Sequence, residues 1–273
     1  SEMNQVSKKI GDLFKSGNQE QANEMKAKTG EFKEEIKKLN DTLQKTADEL
    51  NALLVQIPNI PHISVKTGTS EKDNEVVKSG GDFPVLPNKA MPHWELAAKY
   101  DIIDFDLGVK LTGAGFPVYK SNGARLQRAL ISYFLDKNIE AGYEEILPPY
   151  IVNEASGFGT GQLPDKEGQM YHIQSDDFYL IPTAEVPVTN IYRDVILEST
   201  ALPIKNTAYT PCFRREAGSY GKDVRGLNRV HQFDKVEIVQ IQQPENSYQA
   251  LDEMVAHVEN LVKQLNLPYR IVR

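Results

Sequence analysis

From Met25 onward, side chains of one seam recur at alternating spacings of four and three: Met25, Thr29, Phe32, Ile36, Leu39, Leu43, Thr46, Leu50, Leu53 and Ile57. No other feature restricts the folding of this chain so strongly. Strands repeat every two residues and a lone amphipathic helix about every 3.6, whereas a sustained repeat of about 3.5 calls for a second helix alongside. The faces between the seam positions are filled by Glu, Lys, Asp and Gln. Met3, Val6, Ile10 and Leu13 carry the same pattern, and Lys15-Ser16-Gly17-Asn18 interrupts it. The expected structure is a long antiparallel coiled-coil hairpin over residues 1–57, turning near Gly17. At about 1.5 Å per residue its second helix would run about 55 Å and its first about 20 Å, so more of the first helix is expected upstream of Ser1. Such a hairpin can serve as a dimerisation element, a spacer or an RNA-binding arm. Lys8, Lys9, Lys15, Lys26, Lys28, Lys33, Lys37 and Lys38 slightly outnumber their acidic neighbours near the turn, which permits phosphate contacts without requiring them.

Residues 58–92 hold Pro58, Pro61, Pro84, Pro87 and Pro92 together with Gly68, Gly80 and Gly81, the composition of a connector with at most short structure. Residues 93–273 read as one mixed domain of class α+β. A helix is expected over 123–140 with Leu126, Leu130, Tyr133 and Phe134 on its inner face. YEEILPPYIV at 143–152 reads as a short strand stopped by a proline pair, and MYHI with DFYLIP as a hairpin. Two longer antiparallel strands are expected within 201–242. A helix over 246–265 would bury Leu251, Val255, Val258, Val262 and Leu265, and PYRIV would begin a strand.

Composition narrows the class of protein. Hydrophobic residues make up 40% and charged residues 25% of the 273, the balance of an ordinary water-exposed protein with a sizeable core. No window approaches the roughly 18 uninterrupted apolar residues of a membrane span, and no signal-peptide pattern opens the sequence. The lone Cys212 excludes an internal disulfide and fits a reducing compartment, so a cytoplasmic location is expected. A net charge of −7 argues against indiscriminate nucleic-acid binding.

Against that acidic background, residues 210–240 (TPCFRREAGSYGKDVRGLNRVHQFDKVEIVQ) gather Arg214, Arg215, Lys222, Arg225, Arg229 and Lys235 against Glu216, Asp223 and Asp234. The common phosphate loops are absent. SGFGTG at 156–161 lacks the strand–turn–helix setting of a dinucleotide fingerprint, and no G-x-x-x-x-G-K-[ST] occurs. Neither the cysteine nor the five histidines show metal-ligand spacing, and there is no H-E-x-x-H or G-x-S-x-G. The hairpin itself is the better candidate. Alternation puts Arg214 and Glu216 on one face, where Arg229, Phe233 and Glu237 of the returning strand can join them. Guanidinium groups grip phosphate through paired hydrogen bonds, an aromatic ring offers a stacking surface, and a carboxylate can hold an ammonium group. A solvated strand pair with surface salt bridges accounts for any one of these arginines, but less well for the ordered set.

CFRRE followed by RVHQF is similar to motif 2 of the class II aminoacyl-tRNA synthetases. The wider series resembles the seryl-tRNA synthetase family: the helical arm, HWEL at 93–96, GARLQRAL at 123–130, GYEEILPPYIVN at 142–153, GTGQLP at 159–164 and TAEVPVTN at 183–190. The resemblance implies a class II antiparallel sheet with flanking helices behind a helical arm. It implies ATP and Mg²⁺ as cofactors, L-serine and the tRNA for serine as partners, and a homodimer. Arg214, Glu216 and Arg229 would be the catalytic groups: Arg214 on the α-phosphate and the substrate carboxylate, Glu216 on the adenine amino group, Arg229 on the γ-phosphate. Phe233 would stack on adenine, and Arg215, Val230, His231 and Gln232 would complete the ATP site. Thr183, Ala184, Glu185 and Glu237, with Arg214, would bind serine. The 217–228 loop would touch the tRNA acceptor end, Gly142 and Pro149 would lie at the dimer interface, and the arm would cradle the tRNA. Nothing in the sequence matches motif 3, so these 273 residues alone are expected to be inactive or weakly active. Two alternatives stay open here: a synthetase-like paralogue without tRNA charging, and a coiled-coil interaction protein with a scaffold domain. ATP binding separates the second from the rest.

Overall fold

The computed structural model describes residues 2–216 and 225–273. The chain divides between His62 and Ile63 into two units. The first is a helical hairpin of α1 (Glu2–Lys15) and α2 (Gln19–Leu54). Gly17 supplies the turn with φ of +76°, a left-handed conformation that favours glycine. The Ser16 N–H donates to Asp12 O at 3.0 Å and the Asn18 N–H to Leu13 O at 3.0 Å, closing the end of α1. Ala22 is fully buried where the helices meet, its small side chain allowing close approach. Beyond the reach of α1 the seam faces solvent, with Leu39, Leu43 and Leu53 each more than 60% exposed.

The second unit is α+β. Its elements, in order, are β1 (Val76–Gly80), α3 (His93–Lys99), β2 (Ile103–Asp104), α4 (Phe105–Leu111), β3 (Val118–Tyr119), α5 (Ser121–Glu140), β4 (Glu144–Glu145), β5 (Ile151–Asn153), α6 (Glu154–Gly159), β6 (Tyr171–Ile173), β7 (Phe178–Leu180), α7 (Glu185–Asn190), β8 (Ile204–Phe213), β9 (Gln232–Ile241), α8 (Ser247–Gln264) and β10 (Tyr269–Val272). The backbone of the unit is the antiparallel β8–β9 ribbon, paired without interruption from Ile204 opposite Ile241 to Phe213 opposite Gln232. β4 extends it in parallel along β8. β5, β7 and β6 make a second, antiparallel sheet in that order. The strand in the 58–92 segment, β1, pairs with β10 from the far end of the unit.

Two helix faces need correction, and one strand reading is extended. Pro148 and Pro149 follow the end of β4, as expected of residues with no N–H to give to a ladder, and the residues beyond them form a separate strand, β5, in the other sheet. Of the inner face expected for α5, Leu130, Tyr133 and Phe134 are half-buried, but Leu126 is 58% exposed, and the buried positions are Gly123 and Asn138. In α8, Val262 and Leu265 are half-buried as expected, whereas Leu251, Val255 and Val258 are exposed and Ala250 and Leu261 are buried. In α5 the polar side chains are inside because each is bonded. The Asn138 amide donates to Thr207 Oγ1 at 2.8 Å and its oxygen meets His257 Nε2 at 2.7 Å. Gln127 donates to Asp234.

The apolar core lies on both sides of α7. Val186 packs with Val152, Ile181 and Tyr179 on one side, while Ala184 and Val188 pack with Ala208, Ile146 and Val239 on the other. Fully burying a side chain such as Val186 or Ile181 contributes about 1.5–3 kcal/mol. This wedge holds Thr183, the residue just before it, against the face of β9.

Candidate functional site

β8 and β9 present their outer ends to a pocket of about 700 Å³ lined by Arg214, Glu216, Leu227, Asn228, Arg229, Val230 and Phe233. Period-two alternation brings Phe233 to the surface of the ribbon, and the Arg214 guanidinium lies over its ring at 5.3 Å. Arg214 Nε also donates to Pro182 O at 3.4 Å. Glu216 adopts a positive φ of +47° just past the end of β8, and its carboxylate takes a 3.1 Å bond from Arg229. The Glu216 carboxylate is 15% exposed and the Arg229 side chain 54%, so the arginine is the freer partner to meet a ligand.

His231 ties the two limbs together where the ladder ends. Its carbonyl accepts from the Arg214 N–H at 2.9 Å and its own N–H donates to Gly115 O at 2.8 Å. The ring Nδ1 lies 3.0 Å from Arg214 O; a carbonyl can only accept, so the proton sits on Nδ1. Phe116 stacks on the same ring at 5.2 Å. Val230 is buried, Gln232 is exposed, and Arg215 is exposed with its N–H bonded to Gln169 O at 2.9 Å. Asp165 in turn accepts from the Gln169 and Met170 N–H groups at 2.9 and 2.7 Å, which holds that strand-side loop in place.

Four residues beyond Phe233 along β9, Glu237 Oε2 accepts from Thr183 Oγ1 at 2.8 Å, and Thr183 Oγ1 accepts from the Glu185 N–H at 3.1 Å. Glu237 is half-buried rather than buried, and it already holds a cation, Lys235, at 2.6 Å. Ala184 is buried in the core and the Glu185 side chain faces solvent. The structure therefore groups Arg214, Glu216, Arg229, Val230 and Phe233 in one pocket, and Thr183 with Glu237 beside it on the same ribbon. Gly142 and Pro149 are apart from both, each exposed, with Gly142 closing the end of α5. Of the 217–228 loop, residues 217–224 lie outside the described residues, Lys222 and Asp223 among them.

Sequence reasoning passed over the groups behind the ribbon. Asp234, on the opposite face from Phe233, accepts from Tyr209 at 2.6 Å and from Gln127. Burial, and then this bond, pushes the Tyr209 hydroxyl well above the usual tyrosine range. These residues and Tyr119 line a further cavity of about 570 Å³ between α5 and the ribbon. Gln127 was hidden because a glutamine on a helix reads as solvent-facing until its partner is known.

The family model for the seryl-tRNA synthetase N-terminal domain matches residues 1–61, and that for the class II tRNA synthetase core domain (G, H, P, S and T) matches residues 170–273. The chain belongs to the seryl-tRNA synthetase family. It is 50% identical over 270 residues to the serine–tRNA ligase of Salinibacter ruber, covering 99% of this chain and 63% of that protein. Against the serine–tRNA ligase of Trichlorobacter lovleyi the identity is 50% over 252 residues, covering 91% and 60%. Among solved structures, seryl-tRNA synthetase from Pyrococcus horikoshii complexed with ATP superposes with a TM-score of 0.88 at 32% identity, covering 99% of this chain and 65% of that one. Cytoplasmic serine–tRNA ligase from Naegleria fowleri in complex with AMP gives 0.81 at 26% identity, covering 99% and 64%. The chain thus spans between 60% and 65% of the length of these relatives. The family's class II fold is the fold described above, with its helical hairpin and its antiparallel ribbon. No helix among the described residues is long and apolar enough to cross a membrane.

Proposed function

We propose that this chain carries the ATP and serine sites of a serine–tRNA ligase. The protein would activate L-serine as seryl-adenylate and transfer it to the 3′ end of the tRNA for serine. One observation carries the reading: Arg214 over Phe233 and Arg229 on Glu216 frame a single pocket, so a stacking surface, a carboxylate and two guanidinium groups converge on one volume. Those are the groups an adenine with a phosphate chain needs. The relatives with bound ATP and AMP support it.

In this reading Arg214 neutralises the α-phosphate and the serine carboxylate that attacks it, so that pyrophosphate leaves. Arg229 holds the γ-phosphate, Glu216 accepts from the adenine amino group, and Phe233 stacks on the ring. Arg215, Val230, His231 and Gln232 complete the ATP site, and His231 keeps the two limbs in register. Thr183 and Glu237, with Ala184 and Glu185 beside them, bind serine; its ammonium would share the Glu237 carboxylate with Lys235. Phosphoryl chemistry of this kind rests on positioning and charge neutralisation, and the chain needs to supply no nucleophile of its own. Among the described residues no three His, Cys, Asp or Glu are grouped to hold a metal. Mg²⁺ would arrive on the triphosphate.

The wider assignment follows the family: an arm over 1–57 that holds the tRNA, a connector over 58–92, a catalytic domain from 93, a homodimer with Gly142 and Pro149 at its interface, and a cytoplasmic location. Aminoacylation tests the whole reading. The complete gene product should charge the tRNA for serine with serine and not with alanine, since a site built around a hydroxyl discriminates by about 10⁴ against its absence. Adenylate formation without charging would favour the paralogue reading instead.

A further inference from the structure

Residues 225–231 belong to no strand, yet Arg229 must be held at the mouth of the pocket. The backbone N–H of Leu227 finds its partner on a distant helix: it donates to His93 Nε2 at 2.8 Å, across 134 residues of sequence. That bond requires Nε2 to be bare, so the ring carries its proton on Nδ1. Gly226, next in the chain, has φ of +72°, and a Cβ placed there would collide with His93 Nε2. Only glycine fits so close an approach. The Arg225 guanidinium lies 5.8 Å from the centre of the Trp94 ring, and Trp94 meets His93 edge-on at 5.1 Å. Three successive residues, 225 to 227, therefore each meet one of the two rings at the start of α3.

α3 is itself well anchored. Ala97 is buried, the Ile102 N–H donates to Ala97 O at 3.1 Å, and Ile102 O accepts from the Lys120 N–H at 2.9 Å at the start of α5. We propose that His93 and Trp94 form a clasp that positions residues 225–229, and through them Arg229, against the Phe233 pocket. His93 is a positioning residue: it touches the loop backbone and not the ligand. The inference rests on the reading of that pocket as the ATP site.

Two measurements on the complete gene product test it. In serine-dependent ATP–pyrophosphate exchange, His93→Leu should raise KM for ATP about tenfold, the effect of one lost hydrogen bond, while KM for serine stays unchanged. His93→Gln should restore KM for ATP to within about twofold, because the glutamine amide reaches the Nε2 position and can still accept. Gly226→Ala should reproduce the His93→Leu defect. A glutamine variant as impaired as the leucine one, or a parallel rise in KM for serine, would overturn the positioning role. The second readout needs no ATP: amide exchange at Leu227 should quicken in His93→Leu and stay slow in His93→Gln. Unchanged Leu227 exchange in His93→Leu would sink the clasp itself. Absence of pyrophosphate exchange from the wild type would instead sink the ATP reading, with the amide still reporting on the clasp.

Discussion

Replacing Phe233 by Ala removes the one aromatic surface that the described residues give the pocket, and the ring beneath Arg214. A base stacked on an aromatic side chain is worth about 1–3 kcal/mol by alanine substitution. The Arg214 contact adds about 0.5–1 kcal/mol of support to the guanidinium at a partly exposed site. At about 1.4 kcal/mol per tenfold, ATP affinity should fall between about 5-fold and about 140-fold from the lost stacking alone. Phe233 is half-buried and stands opposite Cys212 in the ladder, so some loss of stability is also expected. Phe233→Leu separates the two effects, since leucine keeps apolar bulk on the ribbon but has no face on which to stack. The assay is ATP binding by calorimetry on the complete gene product, beside thermal unfolding of each variant. Both variants should bind ATP weakly, with Phe233→Leu melting close to wild type. ATP affinity unchanged in Phe233→Ala would refute the adenine assignment and with it the argument from the ribbon's alternation.

Three further outcomes follow from particular contacts. Thr183→Val, which keeps shape but removes the donor to Glu237, should lower kcat/KM for serine by about 10-fold to 100-fold, since hydrogen bonds to charged groups are worth about 1.5–3 kcal/mol, and should leave KM for ATP unchanged. Asn138→Ala strips Thr207 and His257 of their buried partner and should cost about 2 kcal/mol or more, lowering Tm by roughly 4–8 °C in calorimetry. Lys263, Lys78 and Tyr269 hold the Glu259 carboxyl at about 2, below its ordinary 4.5. A depressed carboxylate stabilises the fold above the unfolded value, so that contribution is complete above about 4.5 and is lost as pH falls toward 2. Glu259→Gln should flatten the fall of the urea midpoint over that window; an unaltered slope would show that the cluster contributes nothing.

What could be read in the sequence is what repeats or lies close by. The seam of α2 and the alternation of β8 and β9 follow from periods of about 3.5 and 2, and the turn at Gly17 from local chemistry. The pocket was legible for the same reason: Arg214, Glu216, Arg229 and Phe233 sit within 20 residues of one ribbon. Long-range pairings left no such trace. β1 and β10 meet from opposite ends of the second unit, and β4 runs parallel to β8 across about 60 intervening residues. Leu126 of α5 and Leu251, Val255 and Val258 of α8 were misplaced because periodicity counts apolar side chains, whereas a polar one such as Asn138 is buried by its bonds. His93 stood in the sequence as part of a motif; only its distance to Leu227 gives it a task.

The most direct test of the account is ATP–pyrophosphate exchange by the complete gene product, run with each of the twenty amino acids in turn. The account predicts exchange with serine alone, abolished by Arg214→Ala. Exchange with another amino acid, or none with any, would contradict the assignment of Thr183 and Glu237 as the serine site and of Arg214 as the group that binds both substrates.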